Sequence, residues 1–124
     1  MCIRDSVRLA RALAPLSEEG VLVLGSGNLV HNLRDAFTRM QQGDESVPPW
    51  ARSFDLDLAE ACAQHDLDHV ARALESADGR AAHPTPDHYL PLAYAIGAAP
   101  PDSDVSFPVE GFDHSLSMRS VRWG

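Results

Sequence analysis

The sequence predicts an α/β fold, and three observations carry that expectation. Residues 7–16 place Val7, Leu9, Ala10, Leu13, Ala14 and Leu16 close to helical spacing and lead through a short loop into the branched apolar run Gly20-Val21-Leu22-Val23-Leu24, which reads as a buried, parallel strand. Gly25 and Gly27 stand at the C-terminal end of that run, where glycine lets a chain turn sharply. A helix feeding a buried strand, with further helical patterns after it, is the signature of an α/β layer. In open sheets of this class ligands sit beyond the strand C-termini. Asn28, His31, Asn32 and Arg34 would emerge there, a polar cluster that is a site candidate on position alone.

The elements follow in order. Arg8 and Arg11 fall on the wet side of the first helix, and Pro15 and Gly20 mark its exit. Residues 29–40 form a short helix with Val30, Leu33, Phe37 and Met40 on one face, and 41–49 is a loop of turn formers. Pro48-Pro49-Trp50 opens the next helix, since proline suits a first turn; Trp50, Phe54, Leu58 and Ala61 share its face to about residue 64. Asp66 caps a helix whose buried side is Leu67, Val70, Ala71 and Leu74. Residues 76–82 read as loop. Thr85 is then an N-cap with Pro86 at the first helical position, which puts His88 in the first turn; the apolar body 89–96 ends at Gly97. Residues 105–111 and 115–123 read as two strands.

Composition bounds the function. A chain of 124 residues is enough for one domain with a modest core. A net charge of −8, with all ten basic residues arginine, opposes binding to nucleic acid or an anionic membrane. No run of apolar residues is long enough to span a bilayer, and no secretory leader is visible, so the expected location is the cytoplasm. Cys2 and Cys62 alone do not make a disulfide framework. Residues 1–6 read differently from the rest: Met1-Cys2-Ile3-Arg4-Asp5 matches the in-frame translation of a sequencing adapter, so the expectation is that 1–6 is a non-native leader and 7–124 the C-terminal portion of a longer catalytic domain.

Six histidines set the chemistry to be weighed. Gly25-x-Gly27 has the spacing of a dinucleotide fingerprint, but Val30 holds the third glycine position and no acidic residue follows on a second strand. His31 is either a polar loop residue bonded to a carbonyl or an acid–base or metal-ligating group, since imidazole titrates near neutrality. His83 and His88 flank a proline-rich turn that would preorganise a side chain, or else face solvent. Asp87 reads as a helix-dipole residue. His65 and His69 have a zinc-compatible spacing without a third ligand, and a solvated charged face fits them better. His114 beside Asp113 carries no clear assignment. Arg119 and Arg122 could face a carboxylate or guard a strand edge.

Three segments, taken together and in this order, resemble a known family: residues 25–34 (GSGNLVHNLR), 84–92 (PTPDHYLPL) and 115–121 (SLSMRSV). They are similar to the C-terminal half of the class III extradiol ring-cleavage dioxygenases, and most to the DOPA extradiol branch. The resemblance implies an α/β fold that is the C-terminal part of a three-layer α/β/α domain with a central mixed sheet. It implies one non-haem metal ion, Fe(II) for turnover or Zn(II), with two histidine ligands from the N-terminal half of the fold. It makes His31 the catalytic acid–base histidine beside the metal, sometimes counted as a ligand, and His88 the residue that completes the metal site; it assigns nothing to His83.

Asn28, Asn32 and Tyr89 are then donors that orient the imidazoles. Substrate and partner are a DOPA-like catechol and O₂. A catechol chelating through both oxygens leaves a proton for an imidazole to take and return. The alternative is a relative that keeps the fold and binds metal without turnover. Full-length protein is expected to be a monomer or homodimer. A chain of only these 124 residues is expected to be poorly soluble, with apolar sheet edges open.

Overall fold

Helix α1 (Ile3–Leu13) lies against α6 (Leu90–Ala98), and small residues set how closely they meet. A Cβ on Gly97 would stand 2.6 Å from the Ala10 methyl and 3.2 Å from the Val7 carbonyl oxygen. Gly97 is therefore an interior packing residue of α6, not the helix end that its sequence position suggests. These coordinates are a computed structural model and describe residues 3–124; Met1 and Cys2, part of the leader read from the sequence, lie outside the described residues. Ile3, Arg4, Asp5 and Ser6 belong to α1, where Ser6 is buried.

Helix α1 continues into a 3₁₀ segment, Ala14–Glu19, which Gly20 closes in the left-handed region at φ 77°. The strand expected over 20–24 is not formed. Residues 21–28 carry no helix or strand, and Leu22 and Leu24 are 84% and 85% exposed. A strand exists through ladder bonds to a neighbour, and no described segment pairs with this run. The sheets among the described residues are two antiparallel pairs, β1 (Val105–Ser106) with β4 (Arg122–Trp123) and β2 (Phe112–Asp113) with β3 (Leu116–Ser117). The two long C-terminal strands expected from sequence are thus four short ones. The architecture is of mixed helix and small sheets, in the α/β class.

Helix α2 (Leu33–Gln42) begins four residues later than the apolar pattern implies, because the Asn32 side chain accepts the Asp35 N–H at 3.1 Å and caps it. Val30 falls outside the helix and is buried, while Leu33, Phe37 and Met40 stay exposed. Helix α3 (Pro49–Ala63) starts at its proline as expected. Helix α4 (Leu67–Arg72) is capped by Asp66, whose carboxylate accepts the His69 N–H at 2.9 Å. Residues 77–82, expected as loop, form α5 (Ala77–Ala82) behind a Ser76 cap on Gly79 N–H. Gly79 disguised that helix, yet it is required: a Cβ there would stand 2.2 Å from the Ala73 carbonyl oxygen.

Phe54, Leu58 and Cys62 of α3, Val70 of α4, Ile96 of α6, and Val30 and Tyr89 from the connecting segments form the centre of the core. Burial pushes the Cys62 thiol up to about 12, and it is a free cysteine. Among the described residues no helix is long and apolar enough to cross a membrane.

Candidate active site

The segment 25–32 threads between two others, held by backbone groups and side chains alike. Asn28 N–H donates to the His88 carbonyl at 2.9 Å, His31 N–H to Ala82 at 3.0 Å, and Ser117 N–H to Val30 at 3.2 Å. Side chains complete it: Asn28 Nδ2 donates to the Ser117 carbonyl at 2.9 Å and Asn32 Nδ2 to the Ala81 carbonyl at 2.7 Å. The two glycines make the approach possible, though not by turning the chain, since neither has positive φ. A Cβ on Gly27 would lie 2.2 Å from the His88 carbonyl oxygen, and one on Gly25 would lie 2.6 Å from that of Pro91.

This threading brings His31 and His88 together from distant parts of the chain. Their rings stack with centroids 3.6 Å apart and planes 13° from parallel. His31 is half-buried and His88 is exposed. Partial burial and the neighbouring His88 ring both push the His31 imidazole below its ordinary value, against its own backbone hydrogen bond. His88 lies in the turn ahead of α6, whose first residue is Leu90, so its ring is not in a helical first turn as expected. A groove of about 350 Å³ opens beside it, lined by Leu24, Gly27, Asn28, His88, Pro91 and Trp123 among others.

The expected supporting residues hold this arrangement differently from the sequence reading. Asn28 and Asn32 bond backbone carbonyls and fix the two segments, not the imidazole rings. Tyr89 is fully buried; its hydroxyl donates to the Val70 carbonyl at 2.7 Å, so it has no proton to offer His31 or His88. Its ring instead meets His83, centroids 5.2 Å apart and edge-on.

Arg119, whose sequence position suits either facing a carboxylate substrate or guarding a strand edge, does neither. Its guanidinium is already committed: Nε and Nη2 fork onto Asp55 at 3.1 and 2.7 Å, and Nη1 reaches Glu110. Asp55 also accepts the Ser117 hydroxyl proton. Away from the pair, His69 Nε2 meets Asp57 at 2.7 Å and His114 Nδ1 meets Asp113 at 2.7 Å. His69 is thus paired with an aspartate, and among the described residues neither His65 nor His69 belongs to a group of three or more metal-ligating side chains.

His83, to which the resemblance assigns nothing, lies in the interior beside the pair. It is 5% exposed, and its Nε2 lies 2.8 Å from the Leu29 carbonyl oxygen. A carbonyl can only accept, so Nε2 carries the proton, and the buried Nδ1 is a lone pair without a partner. Burial pushes His83 down to about 4 from the ordinary 6.5. The unfolded chain then binds more protons than the folded one between those values. Stability from this group is complete above about pH 6.5 and falls by about 3 kcal/mol as pH drops through 4. Urea midpoints measured from pH 7.5 to 4 should show that slope in the parent and lose it in H83Q; equal slopes would contradict the assignment.

The chain belongs to the family described as the catalytic LigB subunit of aromatic ring-opening dioxygenase, whose model matches residues 2–120. It is 42% identical over 123 residues to the "4,5-DOPA dioxygenase extradiol" of Escherichia coli (strain K12), an alignment covering 94% of this chain and 43% of that protein. It is 36% identical to the protein of the same description from Beta vulgaris, covering 88% of this chain and 40% of that one. A crystal structure of an uncharacterized Escherichia coli K12 protein superposes with a TM-score of 0.86 at 37% identity, over 98% of this chain and 50% of that chain. The chain thus spans less than half the length of the curated relatives it matches.

Imidazole is a fitting donor for Fe(II) or Zn(II). Among the described residues no group of three or more His, Cys, Asp or Glu side chains converges as a metal site, so these residues fit part of a ligand set. An imidazole binds a metal in its own plane, through a nitrogen lone pair. Two nearly parallel rings with centroids 3.6 Å apart share no in-plane point within bonding reach of both. As stacked, one ring can face a metal while the other lies against it.

Proposed function

We propose that this segment supplies the acid–base histidine and one metal ligand of an extradiol dioxygenase that opens a DOPA-like catechol ring with O₂. It would form the C-terminal part of a three-layer α/β/α domain. The observation that carries the reading is the stacked His31–His88 pair, set by segments that match the family. His88, the more open ring, would hold the metal, Fe(II) in turnover or Zn(II). That ion, when bound, supplies coordination for both catechol oxygens and for O₂.

The work of this chain is positional and protonic. The fixed backbone of 28–31 holds the His31 ring against the His88 ring, so a catechol hydroxyl held beside His88 lies near His31. His31 takes that proton as a general base and returns it as a general acid while the ring opens. The groove of about 350 Å³ flanked by Leu24, Pro91 and Trp123 offers an apolar wall to an aromatic ring.

The test grafts this segment in place of the matching part of the Escherichia coli relative, loads Fe(II) anaerobically, and follows O₂ uptake with DOPA. Uptake should be present in the graft and lost in its His31→Ala variant. Undiminished uptake in that variant would remove His31 from the reaction.

A further inference from the structure

We propose that His83 is a positioning residue for the His31–His88 pair, acting through the Leu29 carbonyl; this rests on the reading of that pair as the site. Three consecutive residues clamp the segment that carries His31. The Ala81 carbonyl accepts from Asn32 Nδ2 at 2.7 Å, the Ala82 carbonyl accepts from His31 N–H at 3.0 Å, and His83 Nε2–H donates to Leu29 at 2.8 Å. Only the third of these uses a side chain of the 81–83 segment, and that side chain is buried.

Its place is fixed from behind. His83 N–H donates to the Gly79 carbonyl at 2.9 Å at the end of α5. The Tyr89 and Phe54 rings pack edge-on against the imidazole, at 5.2 and 6.1 Å between centroids. Tyr89 directly follows His88. One imidazole therefore braces the 29–31 segment through a hydrogen bond and touches the residue next to His88 through ring packing. That position lets it hold the two halves of the pair in register. The neutral tautomer suits the task, because Nε2 must donate and Nδ1 faces no acceptor.

The experiment compares the graft into the Escherichia coli relative with its H83Q, H83N and H83F variants, each labelled on histidine. Nuclear Overhauser contacts between the His31 and His88 rings report the stacking, and circular dichroism with thermal melting reports the fold. Glutamine reaches the Leu29 carbonyl with an amide donor; phenylalanine fills the space without one. H83Q should keep the inter-ring contacts, and folded H83F should lose them. Contacts undiminished in folded H83F would overturn the proposal.

Should H83F fail to melt cooperatively, the amide pair decides. Contacts kept in H83Q and weakened in the shorter H83N support the brace. Contacts equal to the parent's in H83N, or lost in a folded H83Q, overturn it. A graft that consumes no O₂ while these contacts persist would refute the oxygenase reading and leave the brace standing.

Discussion

Replacing Asp55 with alanine is expected to lower stability by about 3–5 kcal/mol, the usual cost of leaving one member of a buried ion pair unpaired. Asp55 is 2% exposed and sits under a guanidinium whose side chain is 9% exposed. Without the carboxylate, the Arg119 guanidinium is left, among the described residues, with Glu110, which is largely in water, and the Phe107 ring 5.0 Å from its carbon. The damage should also reach the site. Ser117 loses the acceptor of its hydroxyl proton, and Ser117 is the residue whose carbonyl holds Asn28 and whose N–H holds Val30. Denaturant unfolding of D55A and of a D55A/R119M double variant measures this. The double variant should recover part of the loss, because an apolar partner removes the stranded charge. A single variant within 1 kcal/mol or so of the parent would contradict the burial argument.

The second large effect is expected at Gly27. An alanine there places its methyl carbon 2.2 Å from the His88 carbonyl oxygen, and the obstacle is backbone, which cannot swing aside as a side chain end would. The 27–28 and 88–91 segments must separate, breaking the Asn28 N–H bond to that same carbonyl. A cost of about 3 kcal/mol, the upper part of the range for overpacking, is expected for G27A. G20A is the control: nothing lies within 4 Å of a Cβ at Gly20, so only its φ of 77° is strained, and the cost should be about 1 kcal/mol. Unfolding midpoints of the two variants should therefore differ clearly. Equal midpoints would mean that close approach is not why Gly27 is a glycine.

These two variants mark what the sequence could and could not reveal. His31 and His88 were found as candidates because each sits in a long motif of turn-forming and polar residues, and the motifs match a family. Their meeting could not be read from spacing, because it depends on Gly27 passing under the His88 carbonyl. Helices α3 and α4 were legible because proline, an aspartate cap and an apolar stripe all agree. The run 20–24 misled because its composition is that of a buried strand, while strand formation needs a partner, and none of the described segments is one. Helix α5 was hidden by Gly79, an apparent breaker that is there for contact with Ala73. Tyr89 is expected from the resemblance to orient the imidazoles, and Arg119 stands open between facing a carboxylate and guarding a strand edge. Both are spent on buried partners, Val70 and Asp55, that lie far away in sequence. His83 stands out in the sequence beside its proline-rich turn, but its partner does not: the acceptor is a backbone carbonyl 54 residues away.

The central claim is that His31 and His88 divide two jobs within one site. It is tested most directly by Zn(II) affinity measured calorimetrically on the grafted protein and its H31A and H88A variants. The account predicts that H88A binds at least about tenfold more weakly, as for loss of a coordinating contact, while H31A binds nearly as the parent does. Unchanged affinity in H88A, with the metal retained in full, would contradict it.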